Sequence, residues 1–405
     1  MSVMERSKQR GEDSGGGKER MVLERPILYL SSFISSYCKK GNFDSVFFFE
    51  TIIEELFGGL LGVGFLESYH VIVERKTERE VLRVVEALRK KYGDLLKVMV
   101  DSGAYSLFQK YVMKGKRISG IMDRLRVDYS WADNQEVQSY FRRYMDWLKG
   151  IEKDGLIDEY VVLDVIGNPE LSWRNWLRMK DEGLNPLPVI HAGTELDWVE
   201  KYLKYIGEGD GFVRLGVSVK KNVVTSHYWL DVLANWLDRK VGLDRVRMHG
   251  FAVTDLDLIK KYRFWSVDTA SWAITQVFGK LLWFSNVRKK EFAINCNKYI
   301  KGGSFDVSGS KTLSKFFGCI SNDSELKEEF LNDVGVVFRL IGLENELEYV
   351  TRKDIASILE VLGNRSSSAA MLLSALFYVR KWKNVIVDDK NKGGEGGDWV
   401  QGCSR

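Results

Sequence analysis

Four stretches of this chain repeat one pattern: a short apolar, β-branched run delivers a polar residue, then turns at once through small residues. Val98-Met99-Val100 leads to Asp101-Ser102-Gly103-Ala104-Tyr105-Ser106, and Val161-Val162-Leu163 leads to Asp164-Val165-Ile166-Gly167. Pro188-Val189-Ile190 leads to His191-Ala192-Gly193, and Phe264-Trp265-Ser266-Val267 leads to Asp268-Thr269-Ala270-Ser271. Short buried strands that end in polar turns are how a (β/α)8 barrel builds a site, because its functional groups sit at the C-terminal ends of parallel strands. Three carboxylates delivered this way, Asp101, Asp164 and Asp268, point to an enzyme.

Between these stretches the apolar spacing turns helical, as at Val81, Val84, Val85 and Leu88. From 27 to 268 the pattern predicts about eight strands with helices between them, hence right-handed βαβ units and a parallel sheet. The second strand is placed at Val71-Ile72-Val73, and 44–61 is expected to be helical in its second half. A doubly wound sheet is the rival architecture. Polar residues after many strands, rather than at one switch point, favour an α/β TIM barrel.

After Asp268 the pattern changes. Residues 280–284 and 291–294 read as a hairpin around a basic turn, Arg288-Lys289-Lys290, and 326–383 reads as mostly helical. Thr351-Arg352-Lys353-Asp354 has the form of a capping box with Asp in its last position. The expected organisation is a disordered tail at 1–24, a barrel at 25–287, a mostly helical extension at 288–387 and a flexible tail at 388–405.

Composition excludes some classes. With 45% hydrophobic and 12% aromatic residues in 405, the chain is a packed globular protein. A net charge of +4 does not by itself argue for nucleic acid. The cysteines, Cys38, Cys296, Cys319 and Cys403, are scattered without a C-x-x-C, which indicates neither a disulfide framework nor a zinc cluster. A reducing, cytoplasmic setting is expected (host cytoplasm if the source is viral). No apolar run approaches ~20 residues, so no membrane span is expected.

Six motifs occur in order: D-S-G-A-Y-S (101–106), L-D-V-I-G (163–167), P-V-I-H-A-G (188–193), L-G-V-S-V (215–219), H-G-F-A-V-T (249–254) and S-V-D-T-A-S-W (266–272). Over roughly 27–272 this ordered set resembles the tRNA-guanine transglycosylase superfamily, most of all the phage-type branch that places 7-deazaguanines into DNA. The resemblance implies exchange of guanine in a polynucleotide for a free 7-deazaguanine by double displacement. It makes Asp268 the nucleophile on the sugar C1′ and Asp101 the general acid/base. Asp164 becomes the carboxylate on the base edge and Tyr105 the aromatic that stacks on the flipped base. Ser102 becomes a polar base contact and Gly216 a backbone contact. His191 stands where the family usually offers Gln, and His249 falls near the residue that covers the second face of the base. The closely spaced cysteines and histidine of the family's zinc subdomain are missing, so no zinc is expected. No other cofactor is implied. The implied partners are DNA, or alternatively tRNA, and the free base, with a second copy of the chain left open.

The residue types suit that chemistry without the family. Glycosidic exchange through an oxocarbenium-like transition state wants one carboxylate as nucleophile and a second carboxyl group for proton transfer. A base must leave its stack to reach such a site, so an aromatic platform is expected beside the acid/base. A carboxylate can pair with the N1–H and 2-amino group of guanine, which adenine cannot offer in the same arrangement.

Each residue also has a plainer explanation. Asp101 could cap its turn, Asp164 could belong to a buried ion pair, and Tyr105 could be core. His191 and His249 could be satisfied core or turn histidines. Arg288, Lys289 and Lys290 could be a solvated turn rather than a phosphate contact. The alternatives to DNA exchange are a queuine- or preQ-type tRNA transglycosylase, and a TIM-barrel glycoside or nucleoside hydrolase.

Overall fold

The computed structural model describes residues 26–38, 44–113, 127–206, 212–219, 224–277, 280–295, 311–343, 345–363 and 368–392. The tails at 1–24 and 393–405, along with Cys296 and Cys403, lie outside the described residues. Among the described residues no helix is long and apolar enough to cross a membrane.

Eight parallel strands form one sheet: β1 (Ile27–Ser31), β2 (Val63–Ser68), β3 (Val98–Asp101), β4 (Glu159–Tyr160), β5 (Val189–His191), β6 (Val213–Ser218), β7 (Val246–Phe251) and β8 (Ser266–Thr269). Their order is β4-β3-β2-β1-β8-β7-β6-β5. Only the last junction departs from a continuous ladder. There a single parallel bridge, Val161 to Leu187, joins the two edges. The Leu187 N–H donates to Tyr160 O at 2.8 Å and the Val162 N–H to Leu187 O at 3.1 Å. The fold is the expected α/β barrel with a helical C-terminal extension.

Two local expectations fail for identifiable reasons. Val71-Ile72-Val73 is not a strand but part of the helix α3 (Tyr69–Arg75). Only Ile72 of the three is buried while Val73 is 37% exposed, the one-sided pattern of a helix. The true second strand is harder to read because it carries Gly64 and Glu67. Gly64 is there for space, since a Cβ would lie 2.7 Å from the Tyr29 ring and 2.8 Å from Lys97 O. In 44–61 the α-helix occupies the first half (α2, Ser45–Thr51), where Asp44 accepts the Val46 N–H as its N-cap. It continues as a π-helical turn over Ile52–Leu56.

The hairpin is present as β9 (Lys280–Ser285) and β10 (Lys290–Asn295), paired antiparallel. A boundary at 287 therefore falls in its turn. The helices that follow run over Lys311–Ser321, Ser324–Leu340, Leu347–Thr351, Ile355–Gly363 and Ser368–Lys392. The last carries helical backbone through 388–392, where a flexible tail was expected. Thr351 and Asp354 do not form a capping box. Thr351 ends one helix, its hydroxyl donating to Leu347 O, while Asp354 accepts the Ser357 N–H and hydroxyl at the start of the next.

Two apolar cores result. One joins residues of all eight strands, Tyr29 and Leu66 among them, with the helices Gln135–Glu152, Pro169–Asp181 and Leu196–Ile206, and contains Trp176. The other lies on the β1–β2 flank, where Leu30, Phe33, Phe65 and Trp272 pack against Trp283, Phe330, Phe338 and Leu373 of the extension. The extension is thus built onto the barrel wall. Its long final helix is pinned at the N-terminal ends of the strands. There Trp382 Nε1 donates to Pro26 O, and Lys383 Nζ to the carbonyl oxygens of Phe57, Gly58 and Gly59.

Candidate functional site

At the opposite end, where the strands finish, the carboxylates collect. Asp101 closes β3. Gly103, at φ +80°, turns the chain so that its N–H reaches back to Asp101 Oδ2 at 3.0 Å. A Cβ at Gly103 would meet the His70 Cβ at 2.4 Å, so glycine is obligatory on both counts. Asp101 does cap its turn, as the plainer reading held, yet its carboxyl is far from an ordinary cap. Burial, reinforced by the negative charges of Asp164 and Asp268, raises its pKa to about 7, against the pull of the Gly103 N–H and the Ser68 hydroxyl. A group that titrates there can both give and take a proton near neutral pH.

Asp268 lies inward on β8 and is buried. Ser31 at the end of β1 donates its hydroxyl to Oδ2 at 2.6 Å, and the Ala252 N–H donates to Oδ1 at 2.8 Å. Asp164, also buried, lies 2.8 Å through Oδ2 from His191 Nε2. Register explains the convergence: His191 is level with Ser218, Tyr29 with Asp268, and Ser68 with Asp101, so these side chains share the interior face of the sheet.

The remaining expected residues divide. Tyr105, in the first turn after Asp101, is 58% exposed and open to a stacking partner. Ser102 is fully buried, and its hydroxyl meets no hydrogen-bond partner. Its carbonyl accepts the Tyr140 hydroxyl at 2.6 Å. Gly216 is not presented to the mouth: its N–H is held by Pro188 O at 2.8 Å, and a Cβ there would meet the Phe251 ring at 2.6 Å. Its glycine makes room for Phe251. His249 is likewise beneath the mouth, its side chain 2% exposed and its Nε2 3.5 Å from Asp268 Oδ1.

Arg288, Lys289 and Lys290 are not brought to the site. Asn384 Nδ2 donates to Asn286 Oδ1, tying the hairpin turn to the final helix where that helix is anchored at the N-terminal ends of the strands. Arg288 is also engaged already, in a bidentate pair with Asp323 at 2.6 and 2.9 Å and a contact with Glu325 at 2.9 Å. Lys290 points its Nζ at Cys319 Sγ, 3.6 Å away. The turn is folded and Arg288 is charge-paired within it, so the expected phosphate contact would have to be made away from the carboxylates.

Three supporting residues escaped the sequence reading. Ser31 could have been found, because Leu28-Tyr29-Leu30-Ser31-Ser32 follows the same strand-to-small-turn pattern. Glu67 faces outward from β2 and accepts the N–H groups of Ile34 (2.7 Å) and Ser35 (3.1 Å). It thereby fixes the helix Phe33–Cys38 that follows Ser31, and burial raises its pKa to about 7. Ala252 contributes only a main-chain N–H and had no side-chain signal to offer.

Among the described residues no group of three His, Cys, Asp or Glu side chains is arranged to hold a metal ion. No protein-family model matches this chain, and no curated protein matches its sequence.

Proposed function

We propose that this protein is a base-exchange transglycosylase that replaces guanine in a polynucleotide, DNA in preference to tRNA, with a free 7-deazaguanine. The observation that carries the proposal is the gathering of three inward carboxyl groups at the C-terminal ends of the strands. One of them, Asp101, is raised to about 7 by burial and by the other two. Asp268 attacks C1′ of the sugar, forming the Asp268–C1′ bond as the C1′–N9 bond breaks. The departing guanine keeps the bonding electrons and takes a proton from Asp101. The incoming base gives its N9 proton to Asp101, and its N9 displaces Asp268 from C1′. This is the two-carboxyl logic of retaining glycosyl transfer.

The other side chains supply recognition. Asp164, oriented by His191, accepts the N1–H and 2-amino group of guanine, and Tyr105 stacks on the extruded base. The buried Ser102 hydroxyl, without a partner in the free protein, offers a further polar contact. Unpartnered buried polar groups are costly to keep, and a ligand that satisfies one gains affinity.

The test is to incubate the full chain with guanine-labelled DNA and, separately, with tRNA and with small guanine nucleosides, each with a panel of 7-deazaguanines, and to follow released guanine and a trapped covalent adduct. Release from DNA that vanishes in Asp268→Ala is the expected result. Release from tRNA alone moves the assignment to the tRNA enzymes. Release from small nucleosides alone moves it to the hydrolases. No release from any of them overturns the chemistry.

A further inference from the structure

His249 has no surface from which to meet a base. Its side chain is 2% exposed. The Phe251 ring crosses it edge-on with centroids 4.5 Å apart, and the Tyr29 ring stands 5.8 Å away on a second side. Its Nδ1 lies 2.8 Å from the hydroxyl of Ser266, itself buried. Its Nε2 is buried without a partner at normal hydrogen-bond distance, yet Asp268 Oδ1 is 3.5 Å away.

That geometry selects a tautomer. Were the proton on Nδ1, the Nε2 lone pair would face a carboxylate oxygen inside the barrel, which is repulsive. With the proton on Nε2, Ser266 donates its hydroxyl to Nδ1 and the imidazole N–H faces Oδ1. An approach of a few tenths of an ångström then closes a charge-assisted bond, and such bonds commonly tighten when a site becomes occupied.

We infer that His249 is a positioning residue for Asp268 and not a base contact: with the Ala252 N–H it holds Oδ1, which leaves Oδ2 as the oxygen that attacks C1′. This rests on the exchange chemistry proposed above. A carboxylate oxygen has two lone-pair directions. On Oδ1 the Ala252 N–H takes one at 2.8 Å, and His249 Nε2, 3.5 Å away, faces the other. On Oδ2 the Ser31 hydroxyl takes one and leaves the other open. Ala252 aims its N–H at Oδ1 from φ +56°, a conformation that L-residues rarely adopt. When Oδ2 bonds to C1′, Oδ1 becomes the ester carbonyl oxygen and keeps both donors. When N9 of the incoming base displaces Oδ2, the charge that returns to the carboxylate finds those donors already in place.

Two measurements on the full chain test this. The chain has four histidines, so ¹⁵N side-chain NMR can resolve them, with the His249 signals assigned by their loss in His249→Gln. The expected spectrum shows Nε2 protonated, and Asp268→Ala moves its Nε2 signal more than it moves those of His70, His191 or His227. An Nε2 without a proton, or a ring indifferent to Asp268→Ala, overturns the inference. The second measurement is the rate of covalent adduct formation. His249→Phe is expected to slow it at least about tenfold with KM for DNA and for the free base changed less than about twofold. His249→Gln, which keeps an N–H near the ε position, recovers most of the rate. A raised KM with unchanged kcat, or no change in either, overturns the inference. If His249→Phe fails to fold, the glutamine variant and the tautomer decide. If the wild-type protein releases no guanine from any polynucleotide, the exchange reading falls by itself, while the tautomer still decides what His249 does to Asp268.

Discussion

Two clusters of buried acid in this molecule look alike by burial and differ in their company. In the extension, Asp333 is gripped by both ends of the Arg380 guanidinium at 2.5 and 2.6 Å and accepts Trp283 Nε1–H at 2.8 Å. Arg380 also donates to Phe284 O, and Glu329 beside it takes the Ser285 hydroxyl and the Asn286 N–H. This cluster closes the hairpin onto two helices and leaves nothing for a ligand. At the barrel mouth, Asp101, Asp164 and Asp268 meet serines, histidines and main-chain N–H groups, with no Lys or Arg bonded to them among the described residues. Burial raises the pKa of Asp333, with Arg380 opposing it, whereas the neighbouring charges at Asp101 add to the rise. A buried carboxylate with a cation is architecture; one among other carboxylates is a candidate for chemistry.

Four changes would break or sharpen that contrast. The largest effect is expected from Asp268→Ala, which should cut guanine release and adduct formation at least about 10³-fold while thermal unfolding stays cooperative. A variant that still forms the adduct would remove the mouth from the chemistry. Next, Arg380→Met should destabilise the fold by about 3–5 kcal/mol in urea unfolding, because it strands Asp333 as a buried charge. The double variant Arg380→Met, Asp333→Leu should regain much of that loss. If the single change is silent, the extension's cluster does not clamp the hairpin to its helices.

Third, Asp101→Asn should lower exchange about 10²-fold and also change how stability depends on pH. The folded Asp101 pKa, about 7, lies above its unfolded value, so wild-type stability is fully present below the unfolded pKa and is lost as pH rises toward 7. The variant lacks that loss, so it should gain on the wild type across this window, on the order of 4 kcal/mol, and hold a constant advantage above it. Parallel pH curves for the two proteins would show that Asp101 is not the raised group. The smallest effect is expected at the exposed Arg288 pair. Arg288→Ala should alter stability by less than about 1 kcal/mol and leave the salt dependence of DNA binding unchanged. A shallower salt slope would return the hairpin turn to the nucleic-acid contacts.

How much of this was legible beforehand varies by element. The strands that lead to Asp101, His191 and Asp268 announced themselves because each is an apolar run followed by small polar residues, and that pattern is local, whereas the strand expected to reach Asp164 stops at Tyr160, and Asp164 lies in the loop beyond it. The hairpin was legible for the same reason. The second strand was not, because Gly64 answers to the Tyr29 ring on another strand, and Glu67 to the N–H groups of Ile34 and Ser35. Val71-Ile72-Val73, more apolar, drew the assignment instead.

The sequence by itself determined the alternation of strand and helix, and with it which residues stand at strand ends. These depend on periodicity and turn chemistry within a few residues. Only the tertiary structure decided which of them face one another. It put His249 under Asp268 and made Gly216 a space for Phe251. It also carried Arg288 to the far end of the barrel, into the grip of Asp323 and Glu325. Closure of the sheet and the path of the last helix set those meetings, and they depend on packing between residues far apart in the chain, which no local pattern records.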